Sequence, residues 1–222
     1  MSETEVGRRT TSRRKLERPN EILAAAFEEF VLTGYAGTRL EDVAARAGVT
    51  KGTIYFHFQS KENVFVQMVR VFSQPVRLRT QDFLDHNSAE GVEFFKSYLD
   101  FSYAQVLEDR CSREILRLLI AEASRFPSLT DEYFTCVLEP VFTRLHDELE
   151  KAMQNGKVRN AQAMDFPNLL LSPMLALNVF LLIFGDRKSI DPKRYLEAAK
   201  DLLMNGLLPR QCTGDPAMRS KK

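Results

Sequence analysis

The sequence predicts an all-α fold for this chain of 222 residues. From Pro19 onward, apolar residues recur at intervals of three and four, the spacing that places them on one face of a helix. Glycine and proline fall at the breaks between these stretches, where helices end and turns form. No pair of segments alternates apolar and polar residues as neighbouring strands would. A hydrophobic fraction of 44% suits one substantial core plus a small satellite domain.

The basic residues gather near the N-terminus, although the net charge is only +1. Three basic residues and no acidic one lie between Val43 and Lys61, and six more basic residues lie between Arg8 and Arg18. Such a surface suits a polyanion. We predict that residues 1–18 form a disordered basic arm, which either serves as a soluble tail or follows phosphates on DNA.

The first helix is predicted from about Asn20 to Thr33, with Gly34 ending it. Its apolar residues fall on two adjacent lines, which together make a broad buried stripe. The stripe consists of Ile22, Leu23, Ala26, Phe27, Phe30 and Val31.

Two short helices are predicted next. Thr38 and Glu41 have the spacing of a capping box, so the second helix is expected to begin at Thr38. Gly48 follows its core face and supplies a left-handed residue that reverses the chain. Thr50 is placed to cap a third helix from Lys51 to about Phe58. Two short helices joined by a tight glycine turn form a helix-turn-helix.

A fourth helix is predicted to start at Ser60 and to end near Pro75, because proline lacks an amide and breaks the pattern. The domains expected are a helix-turn-helix domain with connecting helix over 19–74, a larger helical domain over 75–209 and a flexible tail over 210–222. The larger domain should contain helices at about 90–109, 111–125, 128–155, 166–185 and 192–208.

The third helix has the features of a DNA recognition helix. Ile54 and Phe58 lie four residues apart and are expected to face the core, which leaves the other side chains for the outer face. Gly52 weakens the helix by about 1 kcal/mol relative to alanine. That cost is understandable where the backbone must come close to DNA.

Residues 20–68 closely resemble the DNA-binding domain of the TetR family of regulators. The resemblance is carried by Gly34-Tyr35, Thr38 to Ala44, Ala47 to Val49, Gly52 to Phe58 and Lys61-Glu62. It implies base-edge contacts by Lys51, Gly52 and Thr53. It implies contacts with phosphates, sugars or thymine methyl groups by Tyr55, Phe56 and His57. It implies phosphate clamping by Thr38 and Lys61, with Arg39 in the same set. Phe56 stands where Tyr or Trp is commoner in the family, which removes a hydroxyl or indole donor.

The same resemblance implies that the last two long helices pair with their copies as a four-helix bundle in a homodimer. A helix-turn-helix requires a dimer independently, because one recognition helix reads too few base pairs. The operator on double-stranded DNA is therefore expected to be a near-palindrome. Residues 169–184 are very apolar but too short to span a membrane, so we expect a buried interface helix and no membrane partner.

A small apolar or amphipathic effector is expected to bind the C-terminal domain. Pro140 and Pro173 interrupt predicted helices and would open space between them. The candidate contacts are Tyr98, Phe101, Arg117, Phe142, His146, Met174 and Asn178. The alternative is that the aromatic residues among them are ordinary core. Residues 120–127 also resemble a segment of AcrR-like and AefR-like regulators.

These features predict a repressor that an effector releases by shifting the fourth helix, with activation as the alternative. An enzyme is not expected, because His57, His86 and His146 share no metal-ligand spacing and no catalytic motif occurs. No cofactor or metal is expected. A scaffold protein, or a redox sensor using Cys111 or Cys136, are further alternatives. Three widely spaced cysteines and a charged N-terminus predict a cytoplasmic protein.

Overall fold

The computed structural model of the chain describes the backbone of residues 3–158 and 166–207, and side chains within those ranges except 3–17, 167 and 207. No strand occurs in these ranges, which confirms the predicted all-α class. The helices are α1 (Glu3–Gly37), α2 (Leu40–Ala47), α3 (Lys51–Phe58), α4 (Lys61–His86), α5 (Gly91–Glu108), α6 (Arg110–Glu122), α7 (Pro127–Tyr133), a π-helix (Phe134–Leu138), α8 (Glu139–Gln154), α9 (Pro167–Leu170), α10 (Ser172–Phe184) and α11 (Pro192–Leu207).

Helix α1 is longer than predicted at its N-terminal end. It begins at Glu3 and contains Pro19, whereas the sequence predicted a start near Asn20 after a disordered arm. The arginine, lysine and glutamate residues of this stretch are good helix formers, which explains why the helix continues through it. Gly34, at φ 71° and ψ 171°, interrupts the helical geometry where the first helix was predicted to end. The predicted tail over 210–222 lies outside the described residues.

The predicted capping box at the start of the second helix was wrong. Helix α2 begins at Leu40, and its N-cap residue Arg39 makes no side-chain capping bond. The hydroxyl of Thr38 instead donates to the carbonyl oxygen of Gly34 at 2.7 Å. The last carbonyl groups of α1 lack hydrogen-bond donors within that helix. The Thr38 hydroxyl supplies a donor to one of them, the carbonyl group of Gly34.

The turn between α2 and α3 forms as predicted. Gly48 adopts the left-handed conformation at φ 63° and ψ 34°, and its conformation ends α2. The hydroxyl of Thr50 accepts a hydrogen bond from the amide of Thr53 at 3.2 Å and caps α3. Ser60 in turn accepts from the amide of Asn63 at 3.1 Å and caps α4.

Helix α4 passes through Pro75 and continues to His86, so the predicted end near Pro75 was wrong. A proline inside a helix removes one backbone hydrogen bond, but tertiary contacts on both sides can hold the helix together. Arg70 pairs with Glu132 on the N-terminal side, and Arg79 pairs with Asp109 on the C-terminal side.

The single helix predicted over 128–155 is interrupted by a π-helix. Pro140 lacks an amide hydrogen, and its ring would crowd the carbonyl group of Cys136 four residues earlier. The wider turn from Phe134 to Leu138 directly precedes this proline and gives the ring room. Pro173 was also predicted inside a helix, but it lies in the first turn of α10, where a missing amide costs nothing.

The chain divides into two compact units. Unit 1 consists of residues 1–82 and 109–138. Its core is formed by side chains of the four helices α1, α2, α3 and α4 together with side chains of α6 and α7. The buried Ile115, Leu118 and Leu129 belong to the latter two helices. Residues 109–138 were expected in the C-terminal domain, and they complete the core of the helix-turn-helix unit instead.

Unit 2 consists of residues 83–108 and 139–222. Helix α5 lies at its centre and packs against α8, α10 and α11. The core is built from fully buried side chains of these helices, among them Phe94, Phe95, Leu99, Leu145 and Leu177. The core of unit 2 therefore contains the aromatic residues that the sequence offered as effector contacts.

Candidate nucleic-acid interface

Helix α3 separates an inner from an outer face as predicted. Ile54 and Phe58 are buried at 0% and 6% exposure and anchor the helix to the core of unit 1. The outer residues Lys51, Gly52, Tyr55 and Phe56 are exposed, and Thr53 and His57 are half-buried. An exposed face on a helix anchored from behind has the arrangement that groove binding requires.

Phe56 is the most exposed aromatic side chain of this helix, with 80% of its surface open to water. Its ring and that of His57 are nearly perpendicular, with a centroid distance of 5.1 Å. An exposed phenylalanine gains free energy when apolar surface covers it. A thymine methyl group or a sugar face is a suitable partner.

Lys51 is held at the start of α3 by an acidic residue of α2. Its ammonium donates to Glu41 Oε1 at 2.6 Å and lies 5.6 Å from the ring centroid of Tyr55. The hydrogen bond with Glu41 raises the pKa of Lys51 and lowers the pKa of the Glu41 carboxyl. A DNA phosphate must therefore compete with Glu41 for this ammonium.

Lys61 lies at the start of α4, over the ring of Tyr35. Its ammonium is 4.6 Å from the ring centroid and donates to the carbonyl oxygen of Ala36 at 3.4 Å. Burial lowers the pKa of Lys61, and the positive charge of Arg125 acts in the same direction. The Tyr35 hydroxyl donates to Glu62 at 2.9 Å, and burial raises the pKa of Tyr35 to about 12.

Sequence reasoning missed Arg125 as part of this basic region. Its guanidinium lies 4.9 Å from the Tyr35 ring centroid, so that one aromatic ring carries two cations. Arg125 follows α6 and is remote in sequence from Lys61. Only the packing of α6 and α7 in unit 1 brings these two residues together, so no local pattern could have indicated it.

Two of the predicted phosphate-binding residues differ in their surroundings. Thr38 is 3% exposed and its hydroxyl donates to the Gly34 carbonyl oxygen at the end of α1, which disfavours the predicted phosphate contact by this side chain. Arg39 is exposed at the N-cap of α2 and remains available. Arg46 binds Glu29 of α1 at 2.7 Å, which assigns it to holding α2 in place.

The predicted effector contacts are divided between the two units. Tyr98, Phe101, Phe142, Met174 and Asn178 lie within or against the core of unit 2. His146 is exposed and lies 4.0 Å from Glu150.

Arg117 belongs to unit 1 rather than to this group. It donates to the Val31 carbonyl oxygen at 2.8 Å and to Glu114 at 2.7 Å. These structural contacts explain its polar character and disfavour the predicted role of Arg117 as an effector contact.

Unit 2 keeps three buried polar side-chain atoms that have no hydrogen-bond partner within the described structure. These atoms are the Tyr103 hydroxyl oxygen, the Arg144 Nε and the Asn178 Oδ1. Burial raises the pKa of Tyr103, and its ring lies 6.0 Å from that of Tyr195. An unsatisfied buried polar atom is costly, and a bound polar group would relieve that cost.

Three further observations concern metal ligands, membrane spans and reactive thiols among the described residues. No group of three or more metal-ligating side chains occurs there. Among the helices described, none has both the length and the apolar character needed to cross a membrane. Burial and the negative charge of Asp109 raise the pKa of Cys111 to about 11, which disfavours its reactive thiolate.

Two family profiles match this chain. The profile described as bacterial regulatory proteins of the tetR family matches residues 22–68. The profile described as the C-terminal domain of AefR-like transcriptional repressors matches residues 99–180. The first match contains α2, α3 and the outer face described above.

Curated relatives agree with these profiles. The transcriptional regulator SrpR of Pseudomonas putida is 34% identical over 150 residues, which are 68% of each chain. The regulator LmrA of Bacillus subtilis is 31% identical over 47% of this chain. The matches span only 56% and 43% of the length of LmrA and of a second Bacillus subtilis regulator.

Solved structures share the fold. The ketosteroid transcriptional regulator KstR2 of Mycobacterium tuberculosis superposes with a TM-score of 0.64 at 20% identity, covering 87% of this chain and 96% of that one. The profiles, the relatives and the helix-turn-helix geometry together show that this chain belongs to the TetR family of bacterial regulatory proteins.

Proposed function

We propose that this protein is a sequence-specific transcriptional repressor that binds a near-palindromic operator. The observation that carries the proposal is the outer face of α3, where Lys51, Tyr55 and Phe56 are exposed while Ile54 and Phe58 anchor the helix. The proposed base contacts are Lys51, Gly52 and Thr53. The other proposed DNA contacts are Arg39, Tyr55, Phe56, His57 and Lys61, with Arg125 added by the structure. The match to a repressor C-terminal domain favours repression over activation.

A homodimer is proposed through α10 and α11. Leu175, Val179 and Ile183 lie four residues apart on α10, and each leaves at least 36% of its surface exposed. Leu202 on α11 is 69% exposed. Apolar side chains repeated along one helix face gain free energy when a second helix covers them. A second copy of this chain would do so symmetrically.

An effector is proposed to weaken DNA binding by shifting α4. This helix starts directly after α3 and Ser60, so a change in its position reaches the recognition helix. The effector lowers DNA affinity only by its preference for the non-binding state, typically about 1–3 kcal/mol. Of the predicted contacts in unit 2, Asn178 has the strongest support, because its buried Oδ1 lacks a partner. We place these events in the cytoplasm, where the operator and reduced thiols are found.

The first experiment is a fluorescence-anisotropy titration of the protein against the DNA upstream of its own gene and against a scrambled duplex. We expect selective binding with a steep salt dependence. The double variant Lys51→Ala/Tyr55→Ala should lose selective binding and keep its thermal stability. Lys188→Ala, which changes an exposed lysine of unit 2, is the matched control. Failure to select any sequence from genomic DNA would overturn the proposal.

A further inference from the structure

A cavity of about 330 Å³ lies within unit 1, between α4 and the segment formed by α7 and the π-helix. We refer to it as the α4 cavity. Val69, Leu129 and Val137 provide apolar walls from the two sides. Cavities that bind small organic molecules have volumes of about 300 Å³ and more, so the α4 cavity is large enough for a compact ligand.

Two arginines of α4 line the cavity, and they differ in their partners. Arg70 forms a two-pronged ion pair with Glu132, with Nη2 2.7 Å from Oε2 and Nε 3.0 Å from Oε1. Glu132 thereby neutralises Arg70. Arg77 lies two turns further along α4, is exposed, and has no acidic partner in the described part of the chain. The cavity therefore combines apolar walls with one uncompensated guanidinium.

We propose that the α4 cavity binds an amphipathic organic anion. Its apolar body would lie against the small exposed parts of Val69, Leu129 and Val137, and its carboxylate or sulfonate group would pair with Arg77. A planar guanidinium binds such groups through two parallel hydrogen bonds, which favours this class of ligand over a neutral one. The residues of unit 2 that the sequence predicted as effector contacts include aromatic side chains packed within or against a core. The α4 cavity, by contrast, is open space.

The position of the cavity links the ligand to the DNA-binding surface, and this step rests on the proposed function. Four of the lining residues follow one another along α4 from Val69 to Gln74, and Arg77 extends the line. Pro75 lies within this stretch and removes a backbone hydrogen bond, so a bend of α4 costs less here than elsewhere. A ligand that separates α4 from α7 would therefore change the direction in which α4 leaves α3.

Cys136 supplies a readout that is independent of DNA binding. Its side chain is exposed and lines the cavity, so a bound ligand should shield it from alkylation by a maleimide reagent. Peptide mass spectrometry distinguishes Cys136 from Cys111 and Cys212. The probes are decanoate and 1-naphthoate, and decan-1-ol is the uncharged control.

Both anions should slow the alkylation of Cys136 at concentrations at which decan-1-ol has little effect. Arg77→Gln should raise the decanoate concentration needed for half-protection about tenfold, because it removes a charge-assisted hydrogen bond. Arg194→Gln, an exposed arginine of unit 2, should leave protection unchanged. Glu132→Gln should improve protection, because it removes the negative charge that neutralises Arg70.

The outcomes separate the cavity from the proposed function. Absence of protection by both anions, or equal protection in the Arg77→Gln variant, would overturn the anion site while leaving specific DNA binding intact. Protection of Cys136 by the anions without any change in DNA affinity would overturn the regulatory role of the cavity. If decanoate reduces the DNA affinity of the parent protein but not that of the Arg77→Gln variant, the result would support both the anion site and its regulatory role.

Discussion

At the scale of single residues, the positive charge of Lys51 on the recognition helix α3 is partly neutralised in the free protein. Glu41 of α2 accepts a hydrogen bond from Lys51 at 2.6 Å, directly beside the surface proposed to meet DNA. An exposed ion pair of this kind contributes little to stability and is screened by salt. Its effect on function is larger, because the carboxylate lies where a phosphate would approach and occupies the ammonium that would bind it.

Glu41→Gln is expected to increase operator affinity about two- to fivefold at low salt, because it removes a repulsive charge and releases Lys51. The gain should shrink as salt is added. Anisotropy titrations at several salt concentrations measure both effects. The matched control is Glu93→Gln, which removes an exposed carboxylate paired with Lys96 in unit 2. A decrease in operator affinity for Glu41→Gln would show that Glu41 positions Lys51 for DNA.

At the scale of secondary-structure elements, the end of α1 is stabilised by a residue that the sequence pattern assigned to the next helix. The Thr38 hydroxyl lies 2.7 Å from the carbonyl oxygen of Gly34 and 3.2 Å from that of Glu29. Thr38 is buried, so its replacement tests a structural role against the phosphate contact expected from the sequence.

Thr38→Val should reduce the free energy of unfolding by about 0.5–1.5 kcal/mol, because it removes the side-chain hydrogen bond to the Gly34 carbonyl oxygen, which keeps only the Thr38 amide as donor at 3.2 Å. Chemical denaturation measures this loss. Thr130→Val is the control, since its hydroxyl bond to Pro127 is exposed. Unchanged stability together with weakened DNA binding would support the phosphate contact that the sequence predicted for Thr38.

The start of α5 depends on a carboxylate from α8. Glu148 is 1% exposed and accepts a hydrogen bond from the Gly91 amide at 3.0 Å. Burial acts to raise the pKa of Glu148, but the Gly91 amide, Lys151 and Arg144 outweigh it, so its pKa is lowered from the ordinary value of 4.5. A lowered pKa means that the folded state favours the ionised carboxylate.

Glu148→Gln should destabilise the protein at neutral pH, because this stabilisation is present above the unfolded pKa near 4.5. The difference from the parent protein should disappear as the pH falls through the lowered folded pKa. Thermal unfolding at a series of pH values measures it. Glu150→Gln, half-exposed on the same helix, is the control. A difference that stayed constant into acid would contradict the assignment.

At the scale of the whole molecule, the proposed dimer makes operator binding dependent on a surface far from α3 in the sequence. Val179→Glu places a charge in the middle of the apolar line formed by Leu175, Val179 and Ile183. We expect the variant to sediment as a monomer and to lose high-affinity operator binding, because one half-site contributes too little free energy.

The control for the dimer prediction is Ser189→Glu, which adds the same charge at an exposed polar position outside this line. Both variants should keep their helical circular dichroism signal. A Val179→Glu protein that remained dimeric would place the dimer interface elsewhere on the chain.

The sequence by itself determined the helical class, the glycine turn, the caps at Thr50 and Ser60, and the inner and outer faces of α3. These features depend on residues close together in the chain, whose spacing and backbone preferences are visible without the fold. The periodic pattern also located most helices of unit 2. It was wrong where a tertiary contact competes with a local preference, as at Pro75 and Thr38.

Only the tertiary structure decided which distant segments meet. The packing of α6 and α7 with the helix-turn-helix, the meeting of Arg125 with Lys61 over Tyr35, and the cavity between α4 and α7 all join residues far apart in the chain. The hydrogen bond of Arg117 also depends on the tertiary structure, because its acceptor is the Val31 carbonyl oxygen of α1. Such contacts are selected by the shape and burial of the whole core, and no local pattern records which partner a side chain finds.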